Sequence, residues 1–242
     1  MEAILYVAHG TRVEIGEEKS RQFIRNIQKI MPNVMQEIAF IEICAPTIPQ
    51  GLEKCIEAGA TRITVIPILL FSAQHNKKDI PLLVSTIEEK YPHIDIMIKQ
   101  AIGIQKLLIE TVCQQIERMS DFKATQYILV SRGSSDPSIE LQFAEIANRV
   151  KFRTSIRNID VAFLYGSGPS LSHVLQKYEN EKIVLIPYLL FPGLLSKNLE
   201  KLVSSSGHLS ISPLLGEFDT ALIAFKENIL RNYLITMNEK AV

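Results

Sequence analysis

Two α/β halves of similar design, each a parallel sheet of roughly four strands flanked by helices in a Rossmann-like arrangement, are what this sequence predicts. Three observations lead there. Short apolar runs alternate with amphipathic ones along the whole chain, the economical pattern for parallel strands joined by crossover helices. Several of those runs end abruptly in polar residues, as buried parallel strands do where they emerge into loops. Finally, the pattern is repeated. A shift of 123 residues lays Ile128-Leu129-Val130-Ser131-Arg132-Gly133-Ser134 over Leu5-Tyr6-Val7-Ala8-His9-Gly10-Thr11, and Ala162-Phe163-Leu164-Tyr165 over Ala39-Phe40-Ile41-Glu42. Pro169 then falls on Pro46, and a shift of 120 brings Pro187-Tyr188-Leu189-Leu190-Phe191 onto Pro67-Ile68-Leu69-Leu70-Phe71. Three matched segments in one order indicate an internal duplication.

The first strand is Ile4-Leu5-Tyr6-Val7-Ala8, closing on His9-Gly10-Thr11-Arg12. Phe23, Ile24, Ile27, Ile30 and Met31 keep the spacing of one face of a helix. Ala39 to Ile43 is a second strand, interrupted by Glu42 just before Pro46 marks the next helix. Thr64 to Phe71 is a third, leading through Gln74, His75, Asn76, Lys77 and Lys78 to Asp79-Ile80-Pro81. Asp79 there predicts an N-cap, with proline in the first helical turn. Leu108, Val112, Ile116 and Met119 mark a further helix before the polar break Ser120-Asp121-Phe122-Lys123. Tyr127 then restarts the pattern, so the expected domains are 1–122 and 123–242.

Three successive strands thus bring His9, Glu42 and His75 to one rim, outside the carboxyl ends where open α/β sheets bind ligands. One histidine at a strand end can simply close it. Two imidazoles and a carboxylate, placed alike, suit a divalent Fe, Co, Ni or Zn site, and equally a proton relay. The second half has Arg132, Tyr165 and Leu195 at the matching positions. The scaffold is kept and the candidate ligands are not, so chemistry is expected in the first half. The second is expected to form a facing wall, with Arg132, Ser134 and the N–H groups around Gly133 able to bind anions.

Composition narrows the function classes. Lys and Arg number 26, as do Asp and Glu, so the net charge is zero and a general polyanion binder is disfavoured. Hydrophobic residues make up 47% of the chain, ample for a core, yet no apolar run is long enough to span a membrane. Met1-Glu2-Ala3 opens directly into a strand without a basic leader, which predicts a cytoplasmic protein. Cys44, Cys55 and Cys113 form no CxxC spacing, which disfavours a four-cysteine cluster or structural disulfides.

Ala8-His9-Gly10-Thr11-Arg12, Glu42 with Pro46, and Pro67 through His75 to Asp79-Ile80-Pro81 resemble the class II tetrapyrrole chelatases. Within them the sequence is most similar to the sirohydrochlorin ferrochelatase and cobaltochelatase group, through both halves, with the specific motifs in residues 1 to about 100. The resemblance implies two similar halves with a cleft between them, fused here into a pseudo-twofold monomer. It implies insertion of a divalent metal, Fe(II) first with Co(II) or Ni(II) as alternatives, into sirohydrochlorin without ATP or other cofactor. His9 and His75 fall on the metal-handling histidines and Glu42 on the acidic position beside them. Gly10, Thr11, Arg12, Arg132 and Ser134 lie in loops that would meet the substrate's carboxylates. Ala73, where many relatives carry glycine, is one departure. No nucleic-acid or membrane partner is expected.

Two rivals remain. Gly166-Ser167-Gly168-Pro169-Ser170-Leu171 begins like a dinucleotide fingerprint, but it lacks the last small residue and Pro169 removes an N–H. A non-catalytic carrier of metal or tetrapyrrole would also use histidine and carboxylate, although so sparse a ligand set suits release better than retention.

Overall fold

The computed structural model describes residues 1–72, 75–179 and 181–239, the side chains of 75, 76 and 234–239 excepted. It contains two four-stranded, all-parallel sheets. The first runs in the order β2-β1-β3-β4, with β1 Glu2–Ala8, β2 Met35–Phe40, β3 Arg62–Pro67 and β4 Asp95–Ile98. The second runs β6-β5-β7-β8, with β5 Gln126–Ser131, β6 Ile159–Phe163, β7 Ile183–Pro187 and β8 Leu209–Ile211. The duplication extends to single hydrogen bonds. Phe40 N–H donates to Pro46 O at 2.9 Å, and Phe163 N–H to Pro169 O at 2.9 Å.

In the first sheet β1 lies between β2 and β3 and is buried and apolar on both faces from Ala3 to Ala8, as a strand covered by helices on each side must be. Leu5 and Val7 point to a core closed by α2 (Ile48–Glu57) and α3 (Ile80–Lys90), through Ile48, Leu52, Ile80, Val84 and Ile87. Thr47 starts α2 with a capping box, its hydroxyl accepting from Gln50 N–H while Gln50 Oε1 accepts from Thr47 N–H. Tyr6 lies on the opposite face, where α1 (Glu14–Gln28) buries Phe23, Ile24 and Ile27. Its hydroxyl donates to Gln36 at 2.9 Å, and Gln36 in turn donates to the carbonyls of Gln28 and Met31 at the end of α1. Ile30 and Met31, expected within that helix, lie just beyond it, with Met31 still buried.

The second sheet repeats the plan. Ile128, Val130, Ile183 and Leu185 face α6 (Leu171–Gln176) and α7 (Leu194–Ser204) through Leu171, Val174 and Leu199. On its other face α5 (Pro137–Thr154) buries Phe143, whose ring packs 5.3 Å from Phe163 and 5.6 Å from Tyr188.

One expectation needs correction. Asp79 makes no cap hydrogen bond to α3; it is the last residue of a π-helical turn, His75–Asp79, and has helical backbone angles. A helix entered from another helical turn has N–H partners already, so Asp79 has no N-terminal donors to satisfy. Contacts gather the elements into two compact units. One comprises residues 1–103 and 222–242, the other 104–221. The helix after the first sheet, α4 (Lys106–Glu117), belongs to the second unit, and most of α8 (Asp219–Glu239) belongs to the first. Gln115 of α4 supplies a reason, donating to Pro187 O at 3.0 Å and Pro213 O at 2.7 Å beside β7 and β8. In the first unit, Phe225 of α8 meets Phe23 edge-on at 5.4 Å. The repeat seen in sequence covers strands and helices alike, α5 matching α1, α6 matching α2 and α7 matching α3, while α4 and most of α8 each group with the unit of the other repeat.

One backbone contact sets each sheet's loop edge. Gly10 has φ 94°, and a Cβ there would lie 1.9 Å from Glu42 O; Gly133 has φ 86°, with Tyr165 O at 1.8 Å. Gly10→Ala and Gly133→Ala should each cost about 2–4 kcal/mol, through left-handed strain and the forced movement of a backbone carbonyl. Urea unfolding would measure this, and an unchanged midpoint in both variants would contradict it.

Candidate functional site

His9 is the first residue after β1, and Glu42 follows the last residue of β2 by two. Ala8 and Phe40 are paired in the sheet, and the parallel pattern continues past the strand ends. Ile41 N–H donates to Ala8 O at 2.9 Å and Glu42 N–H to His9 O at 3.2 Å. That register places the two side chains together, with His9 Nε2 3.2 Å from Glu42 Oε1. Both stay open to solvent, the imidazole side chain 33% exposed and the carboxylate 48%. The sequence predicted this pair, and the structure brings it together. His75 opens the π-helical turn after β3; its side chain lies outside the described residues, as do Ala73 and Gln74. Among the described residues no group of three or more His, Cys, Asp or Glu is disposed to hold a metal ion. The pair alone offers one nitrogen and one oxygen donor, and it can also exchange a proton with Glu42 balancing the imidazolium charge.

The loop that carries Glu42 is held from two sides. Cys44 is buried, its thiol donating to Thr11 O at 3.3 Å and its sulfur accepting from Thr11 N–H at 3.4 Å. This ties the loop after β2 to the one after β1. Burial pushes the Cys44 thiol above its ordinary pKa, the Thr11 amide opposes the shift, and Glu17 reinforces it. Arg21, on α1, donates to Ala45 O and to Glu17 Oε1, and its guanidinium lies 4.6 Å from the centre of the Phe40 ring. The same guanidinium holds the Glu17 carboxyl below its usual range.

The other candidate residues show structural employment. Thr11 Oγ1 accepts from Val13 N–H at 3.2 Å, and Ser134 Oγ from Asp136 N–H at 3.0 Å, the same turn in both halves. Asp136 in turn caps α5 through Ser138 N–H at 3.0 Å. Arg12 and Arg132 are exposed, as are Lys77 and Lys78. In the glycine-rich loop of the dinucleotide rival, two glycines stand where a side chain would meet the protein. A Cβ at Gly166 would lie 2.2 Å from Ser134 O, and one at Gly168 2.6 Å from the Phe163 ring.

Cys44 and Arg21 were not singled out from the sequence, although the repeat carried a signal for both. Ser167 stands where Cys44 does, and its hydroxyl donates to Ser134 O at 3.2 Å, the counterpart of the thiol bond to Thr11 O. Ala144 stands where Arg21 does, so the guanidinium clamp is confined to the half that has Glu42.

Duplicated parallel sheets with an open imidazole–carboxylate pair at one carboxyl edge define a chelatase-type α/β protein. The chain belongs to the CbiX family, whose model matches residues 3–119 and again 126–229. It is 32% identical over 228 residues to the sirohydrochlorin ferrochelatase of Priestia megaterium, covering 90% of this chain and 86% of that one. SirB from Bacillus subtilis, solved with Fe3+, matches with a TM-score of 0.81 at 30% identity, over 94% of each chain. The cobalt complex of the sirohydrochlorin chelatase SirB from Bacillus subtilis subspecies spizizenii matches with a TM-score of 0.81 at 29% identity, over 94% of this chain and 93% of that one.

Cys44→Ser should keep the clamp, since the second half makes it with serine, whereas Cys44→Ala should lose about 1 kcal/mol of stability. Because the thiol's pKa is raised in the folded state, its contribution holds below the ordinary thiol range and declines as pH rises through it. Thermal unfolding of both variants at pH 7 and of the parent from pH 7 to 10 would check this; equal loss in Ser and Ala variants would contradict it.

Proposed function

We propose that this chain inserts a divalent metal, Fe(II) in the first place, into sirohydrochlorin to give siroheme, without ATP. The observation that carries the reading is the His9–Glu42 pair, 3.2 Å apart at the loop edge of one sheet and replaced by Arg132 and Tyr165 in the other. The relatives named above are a sirohydrochlorin ferrochelatase and SirB chelatases solved with iron and with cobalt. Cobalt insertion is the second reading, favoured by the cobalt complex of the neighbouring SirB structure.

Metal insertion requires removal of two pyrrolic protons, partial dehydration of the metal and distortion of the ring. A neutral imidazole serves the first step as base or the second as a transient ligand. Glu42 orients His9 and carries counter-charge for either. A sparse set of donors open to solvent binds a metal weakly enough to release it to four pyrrolic nitrogens, whereas a closed four-ligand site would retain it. In this reading His75 is the third member of the set. Arg12 and Arg132 meet the substrate's carboxylates, while Gly10, Thr11 and Ser134 shape the loops they stand on. In this reading one chain supplies both halves and works as a monomer, and the cytoplasm is its proposed location.

Anaerobic assays with sirohydrochlorin in excess over protein, with Fe(II), Co(II) or Ni(II) supplied separately, test the reading. Many equivalents of metallated product per chain are expected, fastest with Fe(II); a carrier would stop at one. His9→Ala and His75→Ala should each slow turnover by about 10²–10⁴-fold, the usual worth of a positioned acid–base group, with the fold intact. Arg132→Ala should chiefly raise the Michaelis constant for the tetrapyrrole. Parent-like rates in both histidine variants would contradict the assignment.

A further inference from the structure

The loop that presents Glu42 contains a residue in an unfavourable place. Ile43 has φ 70°, in the left-handed region, where a β-branched side chain crowds its own backbone. Its side chain gains only partial burial in return, for Ile43 is 56% exposed. An exposed apolar residue on strained backbone is doubly costly, and neither cost is explained by packing. The duplication supplies the control. Gly166 occupies the same place in the second half, with φ 82°, and it follows Tyr165 as Ile43 follows Glu42. The same turn is thus made with the residue best suited to it in the half that lacks the His–Glu pair, and with isoleucine in the half that has it.

The loop around Ile43 is tied on both sides: Cys44 N–H donates to Glu42 O at 2.7 Å, the Cys44 thiol is bound to Thr11, and Arg21 holds Ala45 O. Strained backbone persists where the surroundings over-determine it, and it gathers where function uses it. We infer that Ile43 is a substrate-contacting residue, an apolar platform beside Glu42 that takes the face of a flat conjugated macrocycle. The inference rests on the tetrapyrrole reading above and assigns part of the affinity to a residue outside the metal-handling set. A macrocycle has two kinds of surface, a charged rim and apolar faces; the charged rim suits arginine, and the faces suit an exposed aliphatic group. Binding would cover Ile43 and recover the cost of exposing it.

The test separates strain from contact. Ile43→Asn keeps a residue that tolerates left-handed backbone and removes the apolar surface. Ile43→Val keeps both the strain and the apolar surface. Fluorescence titration with metal-free sirohydrochlorin gives the dissociation constant, and thermal unfolding gives stability. For Ile43→Asn we expect binding weakened about five- to tenfold, the affinity carried by covering a half-exposed aliphatic side chain. Its melting temperature should be unchanged or higher by about 2–4 °C. The Michaelis constant for the metal should not move, and Ile43→Val should bind within about twofold of the parent. Parent-like binding by Ile43→Asn overturns the inference, and so does weakened binding accompanied by a lower melting temperature, since that marks a structural role. A parent chain that binds no sirohydrochlorin overturns the tetrapyrrole reading itself, together with this consequence of it.

Discussion

The approach of Gly10 to the carbonyl of Glu42 is the constraint on which the site depends. A parallel sheet brings its strands to a common edge, but the loops beyond that edge normally diverge. Here the absence of a side chain at Gly10 lets the β1 loop settle against the β2 loop, with Glu42 N–H reaching His9 O. The imidazole and the carboxylate are then neighbours because their backbones are. The thiol of Cys44 and the guanidinium of Arg21 hold the arrangement from below and from the side. Most of this loop cluster is joined by backbone atoms, so the side chains at positions 9 and 42 are released for chemistry.

The second half shows which parts of that design are scaffold. Gly133 approaches Tyr165 O as Gly10 approaches Glu42 O, and Ser167 reaches Ser134 O as Cys44 reaches Thr11 O. Thr11 and Ser134 make the same turn into their helices. What differs is His9 against Arg132, Glu42 against Tyr165, Ile43 against Gly166 and Arg21 against Ala144. A feature present in both halves is sufficiently explained by folding. A feature present in one, at a cost to folding, calls for another explanation.

The strands, their parallel order and the duplication were legible in the sequence because buried parallel strands read as unbroken apolar runs, and proline and glycine punctuate them. His9 and Glu42 were legible because each interrupts or ends such a run. Other features were not. That α4 packs in the second unit involves Gln115 finding the carbonyls of Pro187 and Pro213, a distant contact without local pattern. Asp79 followed by a residue and Pro81 has the letters of a capped helix, yet a π-helical turn precedes it and leaves the cap without work. Thr11 and Ser134 looked like ligand-binding hydroxyls since a short turn and an anion site favour the same residues. Cys44 was passed over because a lone cysteine carries no spacing; only its register with Ser167 reveals the bond it makes.

In the proposed reaction Glu42 works through His9, as one unit in one half of a duplicated scaffold. A double-mutant cycle on the pair tests it most directly: turnover of sirohydrochlorin by the parent, His9→Ala, Glu42→Gln and the combination. If the two act as a unit, the double variant should lose no more activity than His9→Ala alone, because the carboxylate has nothing left to orient. Losses that multiply would mean that each residue acts on the substrates separately, and the 3.2 Å contact would then be incidental to the chemistry.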